Sequence, residues 1–539
     1  MLDTVAGGRA NLSDSELLTN DDATWILSNS FLILTMQTGF GMLEAGCVSG
    51  KNVANIMVKN VVDVSLGGIV YWAIGYGLSF GRPGNPFCGS GNFFATAPDP
   101  ASEGTFYTHY VFQFSFSTAA TTIVSGAVAE RMKLSAYMGF AAFNVLIYCF
   151  PASWAWNEIG FLQALGFYDF AGACVVHLTG GASAAVAAYM VGPRKGRFTD
   201  NPRNFQLSSP VTALTGTFML WWAWLAFNCG STYGVVGHNW KTAALVAVNT
   251  LNASIGGSLV GLLLSCVVPY VRGRKDGDAE APRFYWDISY IITAVLGGLV
   301  GVTAGPSIYT PSESILIGAV GALVATSAVP LVEWLGIDDP VGAIPVHFFA
   351  AVWSVLAVGI FGHDKYSALR GRKGLAHGGG FELLGIQCLG VLTMGLWSSF
   401  LTFLSMLLLN KTIGIRMTDE DEEKGADYSE HDIKCENFTE KLEKRIGSLA
   451  EGQEEMIIEK MVRELGLTET DMNLPEARMH THGVFATPGN QSNSRRQTLA
   501  NIAGHVIQAM RAQAELTQLQ HDLEENRRST MSYKMKGRA

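Results

Sequence analysis

Asp169-Phe-Ala-Gly-Ala-Cys-Val-Val-His177 and Asp339-Pro-Val-Gly-Ala-Ile-Pro-Val-His347 follow one pattern. Asp, Gly, Ala, Val and His recur at the same five of nine positions. Each stretch opens an apolar run of about 20 residues, the length that a bilayer-spanning helix needs. Working outward, the chain holds eleven such runs, at roughly 24–46, 55–80, 108–130, 134–152, 169–191, 209–230, 242–270, 286–305, 313–335, 341–361 and 381–409. The repeated stretches open the fifth and the tenth run, each the last of a block of five. An odd number of spans reverses direction, so the two blocks cross the membrane with opposite sense. The expected fold is all-α and polytopic, with eleven transmembrane helices in a five-plus-five inverted repeat.

The repeat also carries chemistry. Each Asp is expected at a helix start, where a carboxylate accepts orphan backbone N–H bonds and meets the positive end of the dipole. Pro340 suits a first helical position. Capping accounts for both carboxylates without a ligand role. Eight helical residues advance about 12 Å. His177 and His347 are therefore expected about 12 Å in from opposite faces of an apolar layer about 30 Å thick, near each other at its centre. A single buried His is equally well explained by a hydrogen bond to a backbone carbonyl. Two at matching depth point to function, because ionisable groups inside a membrane are costly.

Composition agrees with a membrane protein. The 539 residues are 48% apolar and 15% charged, where a soluble domain averages about 25% charged. Residues 1–410 hold 19 Lys+Arg and 23 Asp+Glu; residues 411–539, less than a third as long, hold 18 and 23. This excludes a soluble globular enzyme and a secreted disulfide scaffold. A net charge of −9 with no basic arm argues against nucleic acid as a partner. Six of the eight cysteines sit in or beside apolar runs, with no CxxC or Cys/His spacing, so no metal is expected. No nucleophile triad or cofactor loop is present, so neither a cofactor nor an enzyme is expected. The first 24 residues carry five carboxylates against Arg9 alone, the wrong sign for a signal peptide.

Loops after odd-numbered runs hold eleven Lys or Arg; those after even-numbered runs, with the N-terminal tail, hold seven. The richer set belongs in the cytosol. That puts the N-terminus outside and the C-terminus inside, with 362–380 as a local exception. Asn11-Leu12-Ser13 is then an extracellular glycosylation sequon. The expected domains are an extracellular tail (1–23), a transmembrane domain (24–410), a cytosolic regulatory segment (411–436) and a cytosolic tail (437–539). In that tail, 471–497 reads as disordered. Residues 498–526 read as an amphipathic helix or a coiled coil.

Five motifs occur in order: Phe112-Gln-Phe-Ser-Phe116, Gly126-Ala-Val-Ala-Glu130-Arg131, Asp169 to His177, Ala226-Phe-Asn-Cys-Gly-Ser231, and Asp338-Asp339-Pro340 to His347. On these motifs the chain resembles, over about 24 to 435, the ammonium transporter / methylammonium permease / Rhesus family, its ammonium transporter branch in particular. The resemblance implies eleven helices and a pore per subunit, and a homotrimer among plasma-membrane lipids. It implies ammonium or methylammonium as substrate. Trp156 is then the aromatic wall of an external cation site and Ser231 its hydroxyl ligand. Trp154 is a rival for Trp156, because the stretch 151–156 is one residue shifted against the usual spacing to Asp169. Phe116 and Phe227 are the stacked rings that close the entrance, His177 and His347 line the conduit, and Asp169 supports the external site. Ala173 replaces a commoner Gly, Ser or Cys. Two alternatives remain open: a Rhesus-type channel for neutral ammonia, and an ammonium sensor signalling through its tail.

Residues 416–436 resemble the family's regulatory segment. There an acidic run and an Asp-x-x-x-His element, here Asp427 and His431, dock on the neighbouring subunit, with Ser429 as the phosphorylatable hydroxyl between them. Asp432-Ile433-Lys434 departs from the pattern, and the tail's own partner is open.

Overall fold

Long apolar helices set the architecture. The computed structural model describes residues 18–199, 205–275 and 285–433. These belong to one unit, Met1–Lys434; the second unit, Cys435–Ala539, lies outside the described residues, as do the Asn11 sequon and the expected helix at 498–526. The long helices are α1 (Asn20–Cys47), α2 (Val53–Phe80), α3 (Glu103–Ala127), α4 (Leu134–Leu165, broken at 157–160), α5 (Ala173–Val191), α6 (Pro210–Gly230), α7 (Asn239–Val268), α8 (Ile288–Thr303), α9 (Pro311–Trp334), α10 (Pro345–Phe361) and α11 (Glu382–Thr412). Two short ones follow, α12 (Asp419–Lys424) and α13 (Ala426–His431). Among the described residues there are two isolated β-bridges and no strand.

Eight of the helices (α1, α2, α4, α5, α6, α7, α9 and α11) are long and apolar enough to cross a bilayer. The other three fall short for identifiable reasons. Helices α8 and α10 are shorter apolar helices of 10–17 residues. Helix α3 is 25 residues long but rich in Ser and Thr. Several of its hydroxyls are satisfied within the helix: Ser115 donates to Phe112 O, Thr118 to Ser115 O and Thr121 to Ser117 O. That local bonding lets the polar stretch 115–127 lie buried. Outward positions carry exposed Leu259, Leu263, Leu392, Leu396 and Phe400, an apolar surface suited to lipid or a partner.

The helix starts expected at the two repeated Asp residues are corrected. Asp169 and Asp339 lie in irregular backbone, and the helices begin at Ala173 and at residue 343. Pro340 is not a first helical residue; Pro345 holds the corresponding place at the head of a π-turn. The reason is Gly172 and Gly342, at φ +90° and +78°, a conformation that interrupts a right-handed helix.

Glycines let the backbones touch. Gly297 and Gly301 of α8 lie against Gly321 of α9, and Gly318 lies against the backbone of Ala253 in α7. Gly216 of α6 lies against the backbone of Gly39 and Leu43 in α1. A Cβ there meets main chain that cannot yield, and overpacking of this kind costs about 1–3 kcal/mol. Gly216→Ala should lower the thermal midpoint of the purified protein by several degrees. Gly104→Ala, where a Cβ meets open space, should not.

Candidate functional site

The two Asp residues act first on the backbone. The Asp169 carboxylate accepts four N–H bonds, from Gly172 (3.0 Å), Ala173 (2.8 Å), Cys174 (2.8 Å) and Val175 (3.0 Å). Asp339 does the same for Gly342 (3.0 Å) and Ile344 (2.7 Å). Each helix then starts as a π-turn, Ala173–Leu178 and Pro345–Phe349, and each π-turn contains the histidine. A π-turn widens the helix locally and is frequent where a side chain must be re-aimed.

The histidines meet. His177 Nδ1 and His347 Nδ1 are 3.1 Å apart, and both residues are buried. One Nδ1 donates and the other accepts, so the two neutral rings expose one N–H and one lone pair at their outer nitrogens. His177 Nε2 has no hydrogen-bond partner among the described residues. Its ring stacks on Trp224, with centroids 4.9 Å apart at 15°; Trp224 is held by an indole N–H bond to Thr303 Oγ1.

A continuous line of rings leads to the pair. Phe116 and Phe227 stack at 4.0 Å and 10°, which leaves no gap between their faces. Trp156 meets Phe116 edge-on at 5.8 Å, and Phe227 lies 5.5 Å from His177. The Trp156 indole N–H donates to Asp169 O at 2.7 Å, which fixes the ring to the cap. Ser231 joins through the backbone, its hydroxyl donating to Phe227 O at 2.9 Å. Trp154 is elsewhere: it packs on Phe87, Phe161 and Trp397 and donates to Phe87 O. Beyond His347, a cavity of about 20 Å³ is bounded by Phe40, Glu44, Val341 and Val346. That is room for one molecule the size of water.

The opposite face of the bundle from the Asp169 loop carries a charged clamp. Arg194 pairs with Glu130 and with Asp338, the latter at 2.8 Å. Arg131 donates to the carbonyls of Gly192, Ala129 and Asp338. Burial alone would raise the Asp338 carboxyl, but the Arg194 hydrogen bonds and the Arg194 and Arg131 charges outweigh it and hold it below its ordinary value. On this clamp lies the segment 415–433. Asp427 accepts the Ala54 and Asn55 N–H groups at the start of α2 (3.0 and 2.8 Å). Glu430 accepts the Leu134 N–H at the start of α4 (2.8 Å). His431 Nε2 is 3.1 Å from the Asn55 amide, and the half-buried Ser429 hydroxyl donates to Gly425 O.

Comparison with known proteins agrees with this geometry. A model of the Ammonium Transporter Family matches residues 24–435. The chain belongs to this family. It is 40% identical over 430 residues to a Caenorhabditis elegans protein provisionally named ammonium transporter 3, the match covering 77% of this chain but only 60% of that relative. It is 32% identical to ammonium transporter Amt2 of Archaeoglobus fulgidus, covering 76% of this chain and 87% of the relative. Among solved structures, one described as a sensor Amt protein matches with a TM-score of 0.67 at 33% identity, over 76% of this chain and 98% of that one. Candida albicans Mep2 matches at 0.66 and 25%, over 76% and 89%. This ammonium transporter family member is accordingly a multi-pass membrane protein.

Sequence reasoning missed part of this family member's interior. Glu44, Lys59 and Asp63 are buried within apolar runs. Asp63 accepts from Tyr137 (2.7 Å) and Thr122 (3.0 Å), Glu44 accepts from Asn60 (2.6 Å) and from Ser125, and Lys59 donates to Met132 O (3.1 Å). Ionisable residues inside apolar runs were the available signal. Trp224 gave none, being one of 12 tryptophans.

The cap generates a stability prediction. In Asp169→Asn an amide N–H₂ would face backbone donors, leaving some of them unpaired. Each buried unsatisfied group costs about 1–3 kcal/mol. Asp169→Asn should therefore lower the thermal midpoint more than Asp339→Asn, which strands fewer donors.

Proposed function

We propose that this chain recruits ammonium at Trp156 and Ser231, deprotonates it, and conducts ammonia past Phe116 and Phe227 and between His177 and His347, with the released proton passing separately through the same histidine pair. The observation that carries the reading is the hydrogen-bonded His pair at the end of an unbroken line of buried rings. A cation over an aromatic face gains about 2 kcal/mol when desolvated. Those contacts alone would also accept potassium. Taking a bare ion into an apolar line costs of order 20 kcal/mol in the Born limit. Ammonium evades that cost by losing a proton, and potassium cannot. Ammonia, neutral, can then bond to the exposed donor and acceptor nitrogens of the pair. Asp169 acts at one remove, through the Trp156 ring that it helps to place.

The wider assembly belongs to the same proposal: eleven transmembrane helices in an inverted repeat, N-terminus outside, C-terminus inside, a homotrimer in the plasma membrane, with Asn11 glycosylated. Methylammonium is the expected analogue substrate. A second reading, an ammonium sensor with little flux, is favoured by the likeness to the sensor Amt protein. A neutral ammonia channel is separated from both by current.

Ammonium-evoked current and uptake, in cells lacking their own ammonium transporters, test the proposal. Wild type should give saturable uptake with current. His177→Ala and His347→Ala should change flux or admit potassium while the protein still reaches the surface. Normal, potassium-excluding transport in both variants would sink the conduit. Uptake without current would favour the neutral channel, and ammonium binding without uptake the sensor.

Asp427, Ser429 and His431 are proposed as the regulatory element. Ser429 lies between two carboxylates already committed to helix starts. A phosphate there adds about −1.5 to −2 charges beside them. Ser429→Asp should lower transport strongly at unchanged surface abundance, and do so dominantly when mixed with wild type. Activity in proportion to the wild-type fraction would overturn the switch.

A further inference from the structure

Glu313, at the start of α9, and two histidines of the 362–380 loop form a cluster that the conduction reading leaves unused. Both carboxylate oxygens of Glu313 are engaged. Oε2 belongs to a capping box, accepting the Thr310 N–H and hydroxyl at 2.7 Å each. His377 Nε2 lies 2.8 Å from Oε1, and His363 Nε2 straddles the carboxylate, 3.2 Å from Oε1 and 3.1 Å from Oε2. The ligating atoms of the three residues all lie within 4.8 Å of one another, and the two rings are packed with centroids 3.7 Å apart. All three residues are half-buried.

The imidazoles are held by backbone. His363 N–H donates to Ile308 O (3.1 Å), Gly374 N–H to Gly362 O (2.8 Å) and His377 N–H to Gly374 O (3.0 Å). Both Nε2 atoms face the one carboxylate from rings packed against each other, so the three ligating groups surround a common centre.

The geometry points to a metal site: Glu313, His363 and His377 bind one zinc-class divalent ion, with the fourth position open to water. Two imidazoles and a carboxylate are a known zinc ligand set, at about 2.0–2.2 Å from the metal. Tetrahedral ligands at that distance sit about 3.3 Å apart, near the 2.8 and 3.1 Å that separate the two Nε2 atoms from the carboxylate. The donor set suits zinc, copper or nickel, while magnesium and calcium prefer oxygen alone. Lys365, close enough to feel the Glu313 charge, opposes a second cation. The affinity is therefore below that of a closed four-ligand site. The bound ion would tie the 362–380 loop to α9. It would also stiffen the adjoining segment, whose Thr303 and Ala304 carbonyls accept from Ala171 and Phe170.

The test titrates Zn²⁺ into the full-length protein, purified in detergent through a histidine-free tag and stripped with EDTA. The expected result is saturable binding of one equivalent per chain and a higher thermal midpoint with Zn²⁺. His363→Gln and His377→Gln should each weaken binding by at least about tenfold, and the double variant should lose both binding and the thermal shift. Absence of saturable binding in the wild type, equal affinity in the double variant, or equal competition by Mg²⁺ overturns the site. If the glutamine variants do not fold, Glu313→Gln carries the same comparison, because it keeps an acceptor for Thr310.

Discussion

A carboxylate accepting backbone N–H bonds at the start of a helix is the interaction on which the rest depends. Irregular backbone at membrane depth survives only where its polar groups are satisfied internally. Asp169 satisfies four N–H groups and Asp339 two, and this permits the left-handed turns at Gly172 and Gly342. Without those turns, α5 and α10 would continue as ordinary helices from the membrane surface. With them, each helix starts late and opens as a π-turn: the His177 N–H reaches back five residues to Gly172 O, at 3.0 Å. The histidines are aimed at each other as a result.

The same interaction fastens the segment 415–433. Asp427 caps α2 and Glu430 caps α4, as Asp169 caps α5. A segment held this way is anchored to the ends of two helices and to no deep pocket, and its attachment is electrostatic at its base. Such an attachment is sensitive to added charge in a way that an apolar interface is not. The helix starts in the core and the 415–433 segment are thus held by one kind of contact, and Asp427 is as buried as Asp169.

The sequence made the repeat, and hence the meeting of His177 with His347, legible, because a five-of-nine match in two apolar runs fixes both depth and direction. It misplaced the helix starts: Asp followed by Pro340 reads as a cap and first turn, while the positive φ of the glycine two residues further on is visible only in the backbone. Phe116, Phe227 and Trp156 are singled out through motif alone, since composition cannot tell one buried ring from another. Trp154 and Trp156 differ by two residues and look alike in sequence. In the structure one stacks among Phe87, Phe161 and Trp397, and the other bonds to the cap. Glu313 and the two histidines escaped a search for short metal spacings because the ligands come from separate elements, with His363 fifty positions beyond Glu313.

A repeat that is symmetric in backbone need not be symmetric in chemistry. On the Asp169 side, the line to the histidines is aromatic and closed by the stacked rings of Phe116 and Phe227. On the Asp339 side it ends in a small cavity beside Glu44. The histidine pair repeats the asymmetry on the scale of one proton. Two neutral imidazoles joined through Nδ1 cannot present the same outer nitrogen, so one end of the pair donates while the other accepts. Moving the shared proton, with the outer proton relocating in response, exchanges those roles. The repeat supplies matched positions for the two rings, while the lining on either side of them differs.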